Sequence, residues 1–182
     1  YDILGQLGVK TIHEVGRKTT LDDYMEMGGA DFNLILNPES RKAAFALEAR
    51  LGIPYAELSR LYEIDRIRRQ YALFAAALGS AIDDSEYYNE ANDACARLQG
   101  ECGGRTFAIG QVVNGNSIEM ALALEKLGLR VKAVFANISG DDFPFINELA
   151  ELNPELKVYS TLSPTMMNYD GSEKVDISIG ID

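Results

Sequence analysis

The sequence contains few residues that commonly bind metals or act as nucleophiles. Its 182 residues include two cysteines, one histidine and no tryptophan. Two cysteines do not form a disulfide framework in a chain of this length, so Cys95 and Cys102 are predicted to be reduced thiols, on a helix and just past its end. A closed zinc or iron–sulfur site needs about four ligands, and His13 has no partner for a triad. We therefore assign no metal ligand, no catalytic residue and no cofactor held by this chain alone.

The sequence also lacks long apolar runs and an excess of positive charge. No stretch approaches the roughly 18 apolar residues that a membrane span needs, and residues 1–8 have no basic start typical of a signal peptide. The formal net charge of −11 argues against nucleic acid and membranes as partners, since both are polyanions. We predict a cytoplasmic protein. A helical pattern already under way at Tyr1, without an initiator Met, indicates part of a longer protein.

Helical and strand patterns alternate along the chain, and 47% of its residues are hydrophobic. Helical spacing and caps predict helices over residues 21–27, 38–51, 64–78, 85–98, 117–127 and 141–152. Short apolar runs predict strands at residues 32–36, 53–58, 105–109, 131–135, 157–159 and 175–179. Short strands separated by helices favour parallel pairing. We predict an α/β fold of two Rossmann-like three-layer units with mostly parallel sheets, comprising residues 1–79, a connecting helix at 80–103, and residues 104–182.

Loops at the carboxyl ends of the predicted strands are the candidate binding sites, because parallel α/β sheets bind ligands there. This rule selects residues 37–40, 59–61, 110–117 and 137–141. The candidate cofactor-binding residues in these loops are Asn37, Ser59, Gly110, Asn114, Asn116 and Ser139.

The loop at residues 110–117 has two interpretations. A glycine-rich turn before a helix N-terminus can hold an anion. However, the loop is not G-x-G-x-x-G, and no lysine follows Gly115 as a P-loop requires. The alternative is a tight turn with Asn and Ser caps. Asn37, which precedes Pro38, has the same ambiguity, because Asn is a common N-cap.

Several segments, taken in order, resemble one known family. Residues 31–38 (DFNLILNP), followed by a helix ending in LGIPY at 51–55, resemble the middle part of nitrogenase component 1 subunits. Further along, Gly104-Arg105, the glycine loop at 110–117 and LGLRV at 127–131 continue the pattern. VDISIG at 175–180 looks like the family's P-D-L-I-I-G strand. Relatives in this family include cofactor-assembly scaffolds and nitrogenase-like reductases.

The resemblance implies an oxidoreductase subunit of three Rossmann-like domains, paired with a homologous component 1 subunit. It also implies an ATP-dependent iron–sulfur reductase component as electron donor. An iron–sulfur cluster is expected in the full-length protein, because the family's cluster cysteines lie mainly in an N-terminal domain outside these residues. Asn37 stands where catalytic α subunits have a cofactor-ligating cysteine. The chain alone is therefore expected to be inactive and to supply walls of a cofactor or substrate cavity and subunit contacts.

Two other functions are compatible with paired α/β units. One is a cytoplasmic two-lobed domain that binds or senses a small ligand in a cleft between the units. The other is a nucleotide–sugar transferase-like pair of domains, which is disfavoured because the sequence has no basic or glycine-rich diphosphate loop with a nearby Glu or Arg.

Overall fold

Helices and short strands alternate in the computed structural model, which describes residues 2–171 and 173–181. The α-helices are α1 Asp2–Gln6, α2 Leu21–Glu26, α3 Arg41–Leu51, α4 Ile64–Ala77, α5 Ser85–Cys102, α6 Ser117–Lys126 and α7 Phe143–Leu152. The strands are β1 Asn33–Ile35, β2 Tyr55–Glu57, β3 Thr106–Ile109, β4 Arg130–Phe135, β5 Lys157–Tyr159 and β6 Ile177–Ile179. The helix expected at the start of the chain is present as α1, but Tyr1 itself lies outside the described residues.

Both sheets are parallel. β1 pairs with β2, and the second sheet has the order β5-β4-β3-β6. α6 connects β3 to β4 and α7 connects β4 to β5, so helices provide the crossovers that parallel neighbours need. The predicted α/β class with Rossmann-like units and parallel sheets is confirmed.

The chain divides into two compact units. The first unit comprises Tyr1–Ser59 and Arg68–Asp84, and the second comprises Arg60–Ile67 and Ser85–Asp182. The second unit therefore includes a short segment that precedes most of α4 in sequence. The buried carboxylate of Glu119, on α6, binds this segment to the second unit.

In the first unit, α3 and α4 cover a small apolar core. Ile35, Ala44 and Phe74 are buried, and the rings of Phe32 and Phe74 are 5.6 Å apart. At one end of α3, the Arg41 guanidinium donates to both carboxylate oxygens of Glu57, from Nε at 2.8 Å and from Nη2 at 2.7 Å. This paired bond holds the start of α3 to the end of β2.

The start of α2 and the end of α3 both have residues that are typical of helix ends. Thr20 and Asp23 form a capping box at α2, with the Asp23 N–H 3.2 Å from Thr20 Oγ1 and the Thr20 N–H 3.0 Å from Asp23 Oδ2. Hydrogen bonds to the carboxylate from the Thr20 side chain and from the Thr20 and Thr19 backbone hold the pKa of the Asp23 carboxyl below its usual value. α3 ends at Gly52, whose φ of 70° is the left-handed conformation that favours glycine.

The second unit holds the larger core. α6 packs on β3 and β4 and against α7, and its Ile118, Ala121 and Leu122 side chains are inaccessible to solvent or nearly so. Phe107 and Val134 meet them from the sheet. Burying each large apolar side chain stabilises the unit by about 1.5–3 kcal/mol. This core therefore holds β3 and β4, and with them the loops at their carboxyl ends, in place.

Two helices differ from their predicted bounds. α5 continues to Cys102, four residues beyond the predicted end at residue 98, so Cys102 lies within the helix and not past its end. Leu98 and Cys102 pack against the second unit's core, and this contact outweighs the helix-breaking tendency of Gly100. The predicted helix at 38–51 begins with the 3-10 turn Pro38–Ser40 before α3.

Candidate functional site

A polar cleft of about 250 Å³ lies at the carboxyl ends of β3 and β4 in the second unit. It is located where parallel α/β sheets bind ligands, because the loops after neighbouring parallel strands meet at one edge. Its lining residues are Gln111, Gly115, Asn116, Ser117, Ile118, Ala136, Asn137, Ser139 and Asp142.

The start of α6 forms one wall of the cleft. The Asn116 side chain accepts the Glu119 N–H at 2.9 Å, and the Ser117 hydroxyl donates to the Gly110 carbonyl at 2.8 Å. Ser117 and Ile118 are the first two helical residues, and the N–H groups at such positions have no partner within the helix. This wall therefore carries the partial positive charge of a helix N-terminus.

Asp142 joins this wall to the loop after β4. Its side chain is only 5% exposed. One carboxylate oxygen accepts the Ser139 N–H at 2.6 Å and the Ser139 hydroxyl at 2.9 Å, and the other accepts the Asn116 side-chain amide. Several donors on one buried carboxylate hold the two loops in a single arrangement.

A second set of polar side chains crosses the loops after β3, β4 and β5. Thr161 Oγ1 lies 3.0 Å from Gln111 Oε1 and 3.1 Å from Asn137 Oδ1. The Leu162 N–H donates to the same Asn137 oxygen at 3.2 Å. Neutral hydrogen-bonding groups thus extend the polar edge of the sheet across three strands.

Glu119 lies behind the cleft, on the first turn of α6, and is inaccessible to solvent. Its Oε2 accepts the Tyr62 N–H at 2.6 Å and its Oε1 accepts the Glu63 N–H at 3.1 Å. Burial raises the pKa of this carboxyl, and the two backbone hydrogen bonds oppose that rise. This contact explains why residues 60–67 belong to the second unit.

The cleft lies on the β4 side of β3. On the other side, β3 pairs with β6, the last strand in sequence. There the Gly110 N–H donates to Ile179 at 2.7 Å and the Val112 N–H donates to Gly180 at 3.0 Å. A Cβ atom at Gly110 would collide with the Gly180 carbonyl. Backbone contact therefore leaves no space between the loops that follow β3 and β6. The open space lies between the loops that follow β3 and β4.

Four of the six candidate binding residues lie in or next to the cleft. Asn116 and Ser139 line it, and the Gly110 carbonyl holds Ser117, which also lines it. Asn114 is in the same loop and accepts a hydrogen bond from the Arg60 guanidinium.

The other two candidates, Asn37 and Ser59, lie in the first unit after β1 and β2. Ser59 exchanges hydrogen bonds with the Gln70 side chain, at 2.8 Å through its N–H and at 3.0 Å through its carbonyl. Asn37 precedes the turn Pro38–Ser40, but within the described residues its side chain makes no capping hydrogen bond there. All residues that line the cleft belong to the second unit.

Sequence reasoning missed several residues of the site. Thr161 follows the predicted strand at 157–159, so the strand-end rule would have found it. Gln111 and Asn137 lay in selected loops but were not chosen. Glu119 was missed because an Asn three residues before a Glu is typical of a capping box, in which the glutamate stays near its own helix end. Here it reaches another segment.

The described residues do not fit an iron–sulfur cluster. Within residues 2–171 and 173–181, no group of three or more His, Cys, Asp or Glu residues could hold a metal ion. Cys95 and Cys102 are both on α5, and seven helical residues span about 10.5 Å. A cluster commonly needs four thiolates, and this helix offers two, separated by two turns.

None of the helices in the described part of the chain combines the length and the apolar character that crossing a membrane requires.

Two units of parallel α/β structure, with a polar cleft at the strand ends of one of them, define a Rossmann-like α/β protein. A family model described as Nitrogenase component 1 type Oxidoreductase matches residues 1–180. The chain belongs to this family, which confirms the resemblance found in the sequence.

One similar solved structure is described as "Nitrogenase Cp1 at pH 6.5". It is 16% identical to this chain with a TM-score of 0.65, and the match covers 97% of this chain and 44% of that one. The chain thus spans less than half the length of that solved chain, and the likeness shows a shared fold. A search among curated proteins finds no match to this chain.

Proposed function

We propose that this chain is part of an oxidoreductase subunit and that its polar cleft forms a wall of the cofactor or substrate cavity. The observation that carries the proposal is the position of the cleft at the carboxyl ends of β3 and β4, within a chain of the nitrogenase component 1 type family. Neutral amides, hydroxyls and the N-terminus of α6 would orient a polar ligand by hydrogen bonds. Gly110, Asn114, Asn116 and Ser139 are the sequence candidates that we propose for this role.

The redox centre belongs outside the described residues, since these residues do not assemble a cluster ligand set. We propose that the complete protein contains an iron–sulfur cluster, pairs with a homologous component 1 subunit and receives electrons from an ATP-dependent iron–sulfur reductase in the cytoplasm. The net charge of −11 fits docking to a basic protein surface. We also propose Asn37 and Ser59 as ligand-contacting residues at the strand ends of the first unit.

The experiment measures electron transfer in the complete protein, purified anaerobically with its partner subunit. With the iron–sulfur reductase, ATP and dithionite, we expect ATP-dependent oxidation of the reductase. Gln111→Ala removes a cleft hydrogen-bonding group and should lower the turnover rate about 2–10-fold, the range for one lost hydrogen bond.

Gln99→Ala is the matched control, because Gln99 is in the same unit but bonds the Leu127 carbonyl at 2.7 Å, away from the cleft lining. Equal rates for the two variants would refute the role of the cleft. A complete protein that draws no electrons from the reductase, yet is stabilised by a metal-free small ligand, would favour the ligand-binding or sensor alternative.

A further inference from the structure

The buried Glu119 carboxylate makes contacts that a simple helix cap does not require. It is on α6, yet it accepts the backbone N–H groups of Tyr62 and Glu63 with one oxygen each, at 2.6 and 3.1 Å. Removing a carboxylate from water is costly unless its hydrogen bonds are satisfied. The position of residues 62 and 63 is therefore coupled to the first turn of α6.

The segment that Glu119 binds packs against the glycine loop at residues 110–117, which borders the cleft. The Tyr62 ring packs against the turn at Gly115, where an added Cβ would lie 2.9 Å from Tyr62 Cε2 and 3.1 Å from the Arg60 carbonyl. In addition, the Arg60 guanidinium donates to Asn114 in the same loop. Gly115 itself lines the cleft.

An ion-pair cluster ties the next part of the segment to the same unit. Arg66 pairs with Glu148 of α7, and Lys126 of α6 pairs with Glu148 at 2.6 Å. The Arg66 guanidinium also lies 5.3 Å from the centre of the Phe145 ring. These contacts anchor residues 64–67, whereas Glu119 binds the backbone of residues 62 and 63, next to the glycine loop.

We infer that Glu119 is a positioning residue of the cleft, which holds residues 60–63 against the glycine loop and thereby fixes the wall at Gly115. The backbone N–H of Glu119 also donates to the Asn116 side chain, whose amide donates to Asp142. The Asp142 carboxylate thus joins the two loops, and the Glu119 carboxylate joins the supporting segment to the first turn of α6. The value of this geometry for catalysis rests on the proposed function, but the geometry itself does not.

The test is NMR on the 182-residue chain that carries Glu119→Gln. The glutamine keeps one acceptor oxygen but turns an NH2 group toward the second backbone N–H. We expect amide exchange at Tyr62 and Glu63 to accelerate about tenfold. We also expect the Gly115 resonances to lose the ring-current shift that the Tyr62 ring causes.

Glu125→Gln is the matched control. Glu125 is on the same helix and also accepts a backbone N–H, from Val131 at 2.7 Å, and the Asn153 amide at 2.6 Å. This variant should leave the Tyr62, Glu63 and Gly115 signals unchanged. Gly115→Ala disturbs the same contact by adding a Cβ next to the Tyr62 ring. It should accelerate amide exchange at Tyr62 and Glu63 although Glu119 is intact.

Faster exchange at Tyr62 and Glu63 with unchanged Gly115 resonances would overturn the inference, because Glu119 would then hold residues 62 and 63 without any effect on the glycine loop. Unchanged exchange would overturn it as well. In the complete oxidoreductase, Glu119→Gln should raise KM for the substrate more than it lowers kcat. The NMR result is independent of electron transfer, so failure of the proposed function and failure of this inference are distinguishable.

Discussion

Glu119 accepts two backbone N–H groups with a carboxylate that solvent does not reach. Burial is the largest influence on its pKa and raises it above the ordinary value of 4.5. Arg66 lowers the pKa through its positive charge, whereas Glu63 raises it. Burial and the Glu119 charge also raise the pKa of the neighbouring Tyr62, whereas Arg60 lowers it.

The raised pKa gives a testable dependence of stability on pH. The folded protein binds the Glu119 proton more tightly than the unfolded chain, so this residue's contribution to stability is present below pH 4.5 and declines as pH rises through the raised pKa. Glu119→Gln removes that titration. We expect the free energy of unfolding of the natural protein to fall relative to the variant as pH rises above 4.5.

Urea unfolding curves of both proteins across that pH range provide the measurement. A difference that stays constant, or that moves in favour of the natural protein as pH rises, would contradict the assignment of a buried, desolvated carboxylate at Glu119.

At the scale of elements, the contact between the ends of β3 and β6 determines where the cleft opens. A Cβ atom at Gly110 would collide with the Gly180 carbonyl, and Gly180 has a φ of 64° that favours glycine. Two glycines therefore allow the two backbones to meet, and their contact closes one side of β3. The strand-end rule alone did not distinguish that side from the side facing β4.

Gly110→Ala should destabilise the second unit by about 1–3 kcal/mol, the usual effect of overpacking a close contact. Gly100→Ala is the control in the same unit. Gly100 lies inside α5 with nothing within 4 Å of an added Cβ, so alanine should stabilise the protein by about 0.5–1 kcal/mol. Thermal unfolding measures both, and a Gly110→Ala variant as stable as the natural protein would contradict the contact.

The α2 capping box predicts a smaller effect in the first unit. Thr20→Ala leaves the Asp23 N–H without its side-chain acceptor and should cost about 1 kcal/mol. Thr11→Ala, in an exposed part of the same unit outside any helix, should change stability by less than about 0.5 kcal/mol. Hydrogen exchange of the α2 amides measures the effect, and equal exchange rates in the two variants would argue against the cap.

At the scale of the whole molecule, the described residues form the polar cleft but no set of cluster ligands. The described residues include two cysteines two turns apart on α5 and no group suited to a metal. We predict that the 182-residue chain, purified anaerobically without a partner, contains far less than one four-iron cluster per molecule. Iron analysis and visible absorption measure this, and a stoichiometric cluster that disappears in Cys95→Ser would show that the thiols are ligands.

Most elements could be predicted because their signals are local. Apolar runs mark β3 and β4, Gly52 ends α3 in the conformation that its lack of a side chain permits, and Thr20 begins α2. The end of α5 could not be predicted in this way, because Leu98 and Cys102 stabilise its last turn by contacts with residues distant in sequence. Asn116 and Ser139 were predicted from the strand-end rule, which depends only on the order of elements.

The sequence by itself determined the parallel α/β class, the family and the loops in which the cleft lies, since these follow from periodicity, caps and the order of motifs. Only the tertiary structure decided which side of β3 is open, and it brought Asp142 and Glu119 to the site. A charged side chain with the spacing of a helix cap is predicted from the sequence to be exposed. Whether it is buried depends on what another segment places against it, and here Glu119 meets the backbone of residues more than fifty positions away.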